Sequence, residues 1–364
     1  MNVLFVQDSS PCIRNIKYAE ALQQMGVNVH LLHRGKTPQE AYGFGNEFYQ
    51  SISRIADNST KAVEQIERFC ESEAIDVLHY HNYPDKLCAK LLKSGIKVPV
   101  VYDQHDFMSQ KMRNFGFIRS HYEKVCNERN HGAIYITENY RDLVATKYKI
   151  NPLNLAFPNY SSKSFLPRED ELQNQISTQN GIHLVYVGHI TQHKRLSRYM
   201  LDCFKMLTER GFAIHIYPTR NKKYEKYAAV RGVVMHEKLP AKLLIREISQ
   251  YHYGIAFLNS SSVSAKRKQE VKYGFWNKLL DYIAAGVPPI TFEYYTDMSK
   301  FIGDNKIGLV LPSIEDLTKE SLGKVDLSSL RKRIIDIRPQ TTCENHICEL
   351  IEFYEKVMAS AHVS

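Results

Sequence analysis

The 364-residue chain is short of several signals, and each absence narrows what it can be. No stretch approaches the roughly 18 uninterrupted apolar residues that a spanning helix needs, so no segment is expected to cross a membrane. The opening MNVLFVQDSS has neither a basic start nor a long apolar centre, and reads as a first strand rather than a secretory leader. That strand is not followed by GxGxxG, which disfavours a dinucleotide-dependent dehydrogenase. The seven cysteines (Cys12, Cys70, Cys88, Cys126, Cys203, Cys343 and Cys348) are odd in number, scattered and without a CxxC pair. This is the pattern of reduced thiols in a cytosolic protein, not of a disulfide framework. Cys343, His346 and Cys348 lie close in sequence but lack a fourth nearby ligand, so no metal site is expected there. There is no repeat of fixed period and no low-complexity tract. Nor is there an aromatic-basic readout pattern, and nucleic acid is therefore a disfavoured partner.

What is present fits two α/β domains. The hydrophobic fraction of 43% and the chain length suffice for two cores. The net charge of +9 fits an anionic partner: nucleotide phosphates, an acidic membrane surface or, on charge alone, nucleic acid. Apolar strands are expected at 2–7, 27–32, 75–80, 98–102, 133–137 and 154–157, alternating with helices at 14–25, 60–72, 85–93, 117–130 and 138–147. The polar stretch Ser161–Gly181 reads as an interdomain linker. A second series follows, with strands at 183–187, 212–217, 233–236, 253–258, 290–292 and 307–311 and helices near 197–209, 241–250, 277–285 and 314–337. The amphipathic segment 344–361 closes the chain as a helix, with Ile347, Leu350, Ile351 and Tyr354 on one side. Strands that alternate with helices at this spacing form parallel sheets.

Three strand ends carry polar residues suited to a site. One strand runs out through His79-Tyr80-His81-Asn82, and alternation places His79 and His81 on one side. Another runs out through Asp103-Gln104-His105-Asp106. In the second series, Gly188-His189-Ile190-Thr191-Gln192-His193-Lys194-Arg195 is a basic loop feeding a helix, which presents free amides to phosphate. The central segment is 251–290. Its strand is followed by a Ser- and Lys-rich loop from Asn259 to about Lys272. A helix from Asn277 to Ala285 comes next, stopped by Gly286 and by Pro288-Pro289. A strand–loop–helix–strand unit of this kind brings its loop and helix N-terminus to the edge where open α/β sheets bind ligands.

The run Asn277-Lys278-Leu279-Leu280-Asp281-Tyr282-Ile283-Ala284-Ala285-Gly286-Val287-Pro288 resembles the signature of GT-B glycosyltransferases of the retaining family-4 type. The resemblance implies two Rossmann-like domains facing a cleft, with the last helix returning to the first domain. It further implies boundaries near 1–162 (plus 344–364) and 182–343, with 163–181 as the linker. The implied activity is transfer of a sugar from a nucleotide diphosphate sugar to an acceptor hydroxyl, without a cofactor or a required metal. Asp281 matches the acid that holds the donor ribose, and Lys194 matches the lysine at the donor diphosphate. Gly188, His189, Arg195, Gly274, Asn277 and Lys278 line the implied donor site. His189 stands where the family has arginine. Tyr273 stands where a sugar-contacting acid is usual, and Glu270 lies three residues away. His105 matches a histidine beside the transferred sugar, with His81 and Asn82 as neighbours on the acceptor side. Asp103 and Asp106 are separated by two residues, which is wrong for a metal-binding DxD pair.

The implied acceptor is a saccharide or lipid-linked saccharide used in cell-surface polysaccharide or glycolipid synthesis. The basic runs Lys266-Arg267-Lys268, Arg220–Lys223 and Arg331-Lys332-Arg333 would suit peripheral contact with the anionic inner face of a membrane. A non-catalytic partner subunit and a sugar-nucleotide epimerase of the same form are the alternatives.

Overall fold

The computed structural model describes residues 1–111, 116–173, 175–220, 222–260 and 265–361. It divides into two compact units, Met1–Ser162 with Cys343–Ser364, and Lys163–Thr342.

Unit 1 is built on seven strands: β1 (Asn2–Gln7), β2 (Asn28–His33), β3 (Ser51–Arg54), β4 (Val77–His81), β5 (Val100–Gln104), β6 (Gly132–Tyr135) and β7 (Asn154–Ala156). All pair in parallel in the order β3-β2-β1-β4-β5-β6-β7, so the connections reverse direction between β1 and β4. The apolar residues of the inner strands β1, β2, β4, β5 and β6 are buried on both faces, as parallel sheets covered by helices require. Helix Ile13–Gln24 lies on one face and ends at Gly26, whose φ of 75° is easy only for glycine. The last helix, Cys343–Ala361, packs against this first helix. Its Ile347, Leu350, Phe353, Tyr354 and Val357 share a core with Tyr18, Leu22 and Phe157. At Gly132 the approach is close, for a Cβ there would sit 2.5 Å from Val357 Cγ2.

Unit 2 has six strands: β8 (His183–Gly188), β9 (Ala213–Pro218), β10 (Val233–Met235), β11 (Tyr253–Ile255), β12 (Pro289–Phe292) and β13 (Leu309–Leu311). They too are all parallel, ordered β10-β9-β8-β11-β12-β13, with the reversal between β8 and β11. Helix Asn277–Ala284 is pinned across that reversal by Tyr282. Its hydroxyl accepts the Val187 N–H at 3.0 Å and lies 3.1 and 3.2 Å from the carbonyls of Val185 and Ile255. The ring occupies the space a side chain at position 254 would need: a Cβ on Gly254 would fall 2.4 Å from Tyr282 Cγ.

Several expectations are corrected. Residues 163–181 are no free connector, because Phe165 is buried and Leu166 and Ile176 pack against the unit 2 core. The Ile176 N–H donates to the Gln250 carbonyl at 3.1 Å, which fixes the segment on its own unit. The strand expected at 98–102 runs from Val100 to Gln104, which draws Asp103 and Gln104 into the sheet. Most of the stretch read as a loop before Lys272 is helical from Ala265. Strand β3 and helix Thr296–Asn305 add to the elements expected from the sequence. Of the basic runs, Arg331 is structural: its guanidinium donates to the carbonyls of Ser249 and Tyr251. The side chains of Lys266 and Arg267, and residue Asn221, lie outside the described residues.

Candidate functional site

In an open parallel sheet, the crevice forms where strand order reverses, at the carboxyl ends of the strands. In unit 2 that point is Gly188, the last residue of β8, with φ of 137°. A Cβ there would lie 3.9 Å from Lys278 Cε, so the Lys278 side chain runs beside this backbone. Lys278 is only 8% exposed, and its Nζ sits 3.9 Å from the centroid of the Tyr186 ring. Its one hydrogen bond, to the Phe257 carbonyl, is long at 3.5 Å, and no carboxylate stands within ion-pairing distance of it among the described residues. Burial, and then the charge of Arg198, push its pKa well below the ordinary lysine value, while Asp281 pulls it back. Asp281 lies three residues along the same helix, half-buried and close enough to act on Lys278.

The rest of the expected donor residues divide into two groups. His189 is half-buried, and its carbonyl accepts the Tyr186 hydroxyl at 3.2 Å. Burial, followed by Arg198, Arg220 and Lys222, lowers its pKa, so it is a neutral ring in a basic neighbourhood. Gly274 is buried against Trp276, Glu270 is buried, and Tyr273 is half-buried with Lys272 over its ring. Lys194, Arg195 and Asn277 are exposed. Lys278 is therefore the buried cation at this edge, with Arg198, Arg220 and Lys222 as charges that act on it or on His189. Arg198 is not among the expected donor residues; it is exposed, like Lys194 and Arg195, and its charge acts on both Lys278 and His189.

In unit 1 the same position holds a different kind of cluster. Asp103, fully buried on β5, receives Arg14 Nε at 2.8 Å. His79 Nε2, His81 Nδ1 and His105 Nδ1 lie 3.4, 3.5 and 3.7 Å from its carboxylate. Arg14 also donates to the carbonyls of Phe157 and Pro158 and to Asn159 Oδ1, and lies over the Tyr18 ring. Burial alone would raise the Asp103 carboxyl; Arg14 first, then the hydrogen bonds to His105, His79 and His81, hold it well below the usual range. Burial lowers His79, and burial together with His79 brings His81 down to about 3, so both are neutral. Burial opposes charge on His105 as well, but Asp103 and the Cys12 thiol outweigh it and raise the ring to about 10. His105 is an imidazolium, 16% exposed, and the most accessible of the three histidines.

Alternation does bring His79 and His81 together, stacked with centroids 4.2 Å apart. Contrary to expectation, His81 and Asn82 offer nothing to a ligand, for both are fully buried. Asn82 instead shapes the turn bearing His105. Its Oδ1 accepts the N–H of His105 and of Asp106, and its Nδ2 donates to the Asp106 carbonyl at 2.7 Å. His79, His81 and Asp103 are the one group among the described residues with ligand atoms close enough for a metal ion. They do not fit one. The Asp103 oxygen that both rings approach already accepts from Arg14, whose fixed positive charge would stand beside the ion. The rings are within 12° of parallel, so their lone pairs run side by side instead of converging.

Comparison with known proteins agrees with this division. Residues 16–156 match Glycosyltransferase Family 4, and residues 184–343 match the Glucosyltransferase 3-like C-terminal domain. No curated protein matches the sequence. Among solved structures, sucrose-phosphate synthase from Thermosynechococcus elongatus superposes with a TM-score of 0.70 at 12% identity, covering 99% of this chain and 100% of that one. Anabaena HepE in complex with UDP gives 0.69 at 9% identity, covering 97% and 100%. A glycosyltransferase from Rickettsia africae gives 0.64 at 10% identity, covering 98% and 99%. At such identities these likenesses speak for the fold, while the two family matches span most of the chain. With two all-parallel Rossmann-like sheets, each polar at the carboxyl edge of its reversal point, the chain belongs to the GT-B glycosyltransferases and resembles those of family 4.

Proposed function

We propose that the chain transfers a sugar from a nucleoside diphosphate sugar to an acceptor hydroxyl, with retention at the anomeric carbon and without a bound metal ion. The observation that carries this reading is Lys278, a buried lysine beside Gly188 that has no carboxylate within ion-pairing distance among the described residues. An isolated buried charge is costly, and a diphosphate seated there would supply the missing anion. As the glycosidic bond breaks, negative charge grows on the departing diphosphate, and Lys278 with Arg198 stabilises it in place of a divalent cation. Asp281, one turn further along the helix, takes the ribose hydroxyls. In unit 1, His105 acts as a charged donor toward sugar oxygens, not as a base. HepE has been solved with UDP and with UDP-glucose, which makes uridine diphosphate sugars the first donors to try. The acceptor is a saccharide or lipid-linked saccharide of the cell surface, and the charge of +9 favours work at an anionic membrane.

Thermal unfolding of the purified chain with a panel of nucleoside diphosphates and their sugars, in EDTA, tests this. One nucleotide should stabilise the protein, by about 2.7 kcal/mol at a hundredfold excess over Kd. No shift with any nucleotide, or an equal shift in K278M, would overturn the assignment. Analysis of the sugar product separates transfer from epimerisation.

A further inference from the structure

Four histidines stand in a row across four neighbouring strands of unit 2, on the face covered by helix Ala241–Ile248. In spatial order they are His252, just before β11, His183 at the start of β8, His215 within β9, and His236 just past β10. Alternation sets the face: His183 shares it with Val185 and Val187, and His215 with Tyr217, all packed near Ile245 and Ile248. Neighbouring strands lie about 4.8 Å apart, so rings on adjacent strands can meet directly. They do so with centroids 5.1 Å apart for His183 and His215, and 5.3 Å for His215 and His236. His183 Nδ1 lies 2.9 Å from His215 Nε2, and His215 Nδ1 lies 3.0 Å from His236 Nε2. His252 Nδ1 accepts the backbone N–H of His183 at 2.9 Å.

Every ring–ring bond needs one N–H and one bare nitrogen, which neutral imidazoles supply. One extra proton can be held on His215 if both neighbours accept from it. A second, on either neighbour, sets N–H against N–H. Protonating His252 at Nδ1 likewise opposes the His183 amide. The surroundings keep His215, His236 and His252 neutral. Burial, then His236 and His183, bring His215 down to about 3, and burial also lowers His236 and His252. The groups facing the row are few. Helix Ala241–Ile248 contributes Glu247, which favours charge on His236 and accepts the Tyr217 hydroxyl at 3.0 Å. Tyr217 stacks on His236 at 4.2 Å, and Tyr251 lies 4.4 Å from His215. Arg331, from helix Leu327–Ile337, disfavours charge on His252. No carboxylate forms an ion pair with any of the four rings among the described residues.

We propose that this row is an acid-sensitive latch that holds β10 and the following Glu237–Pro240 segment to the sheet. The sign follows from the lowered pKa values. The unfolded or released segment binds protons below about pH 6.5, where latched His215, His236 and His252 do not, so the latch weakens as pH falls through that value. The segment it frees leaves the carboxyl edge of β9 and β10, on the side of Arg220 and Lys222. In a donor-binding protein of the kind proposed above, release would also weaken donor binding, although the latch itself does not depend on that reading.

Hydrogen exchange of the full chain at pH 7.5 and 5.5, corrected for intrinsic rates, tests the latch. Protection of amides in 233–240 should fall at least about tenfold at the lower pH while unit 1 strands hold theirs. In H215F, which removes the central link but keeps an aromatic ring, protection there should be low and independent of pH. Unchanged protection in the wild type, or a wild-type pH response in H215F, overturns the proposal. If H215F does not fold, side-chain nitrogen spectra of histidine-labelled wild type decide the matter. Rings that stay neutral together and then protonate as β10 loses protection support the latch; four independent titrations near pH 6.5 refute it.

Discussion

Replacing Lys278 by methionine gives a prediction with two opposite signs. The side chain is 8% exposed, has no carboxylate within ion-pairing distance among the described residues, and feels Arg198 as a like charge. Methionine keeps its length and its contact with the Tyr186 ring while removing the buried charge. Relief of a buried, poorly compensated charge by an apolar group is worth about 1–4 kcal/mol, so the apo protein should become more stable. At roughly 2–4 °C per kcal/mol, the Tm of the unit rises by several degrees. The gain should shrink as pH approaches about 10.4, because the lysine is deprotonated more readily in the fold than in the unfolded chain. Donor binding should move the other way. Losing a desolvated, charge-assisted contact to a diphosphate costs about 2–5 kcal/mol, or a roughly 30- to 4,000-fold weaker Kd. Calorimetry with UDP and a melting curve on the same sample read both. A variant that is less stable, or that binds UDP within about threefold of wild type, would refute the assignment. Lys194→Ala is the contrast: this side chain is exposed, and an exposed ion pair is worth at most about 1 kcal/mol, so donor binding should fall less than tenfold.

Three further outcomes follow from the geometry. Tyr282→Phe strips the hydroxyl bonded to the Val187 amide, and should cost about 1–3 kcal/mol in urea unfolding without a change in m. His105→Ala should lower kcat by about 10²–10³, with His105→Gln retaining part of the activity through its N–H donor. Because His105 is raised to about 10, the wild-type pH profile should show no inflection from it near pH 6.5. Asp103→Asn leaves Arg14 buried without its carboxylate and should destabilise unit 1 by about 3–5 kcal/mol at pH 7. The difference between D103N and wild type should close as pH falls below about 4, since a carboxyl held low in the fold contributes stability above its unfolded pKa and loses it below.

Much of the architecture was legible because parallel sheets write themselves plainly in sequence. Runs such as Val3–Val6 and Leu184–Val187 are apolar throughout, and Gly26 and Gly286 stop their helices. What escaped was short or polar. Strand β3 is a half-exposed edge strand of four residues, and Ala265–Lys272 is a lysine-rich helix without an apolar stripe. At the site, alternation correctly paired His79 with His81. It could not show that Asp103, drawn two residues deeper into β5, would collect them, because the Arg14 that fixes Asp103 is 89 positions away. Lys194 and Lys278 were both visible as lysines near glycine-bearing turns. Only the packing of helix Asn277–Ala284 under Tyr282 distinguishes the exposed one from the buried one.

The two clusters partner their buried cations differently, and that difference supports the proposed donor site at Lys278. Around Asp103 the two innermost histidines stay neutral, and the guanidinium and the imidazolium each face the carboxylate, so each cation has an acidic partner within the protein. Such a cluster fixes geometry: it holds the His105 turn in one position, and only that ring reaches the surface. Lys278 has no carboxylate within ion-pairing distance among the described residues. Arg198 adds positive charge, His189 is kept neutral by its basic neighbours, and Asp281 is the single acid that acts on the lysine. A fold bears an unbalanced buried cation when something outside the chain balances it during function. A diphosphate carries the charge, the oxygen acceptors and the size to do so beside Gly188, whereas a neutral sugar or a metal ion would leave the imbalance unchanged or worse.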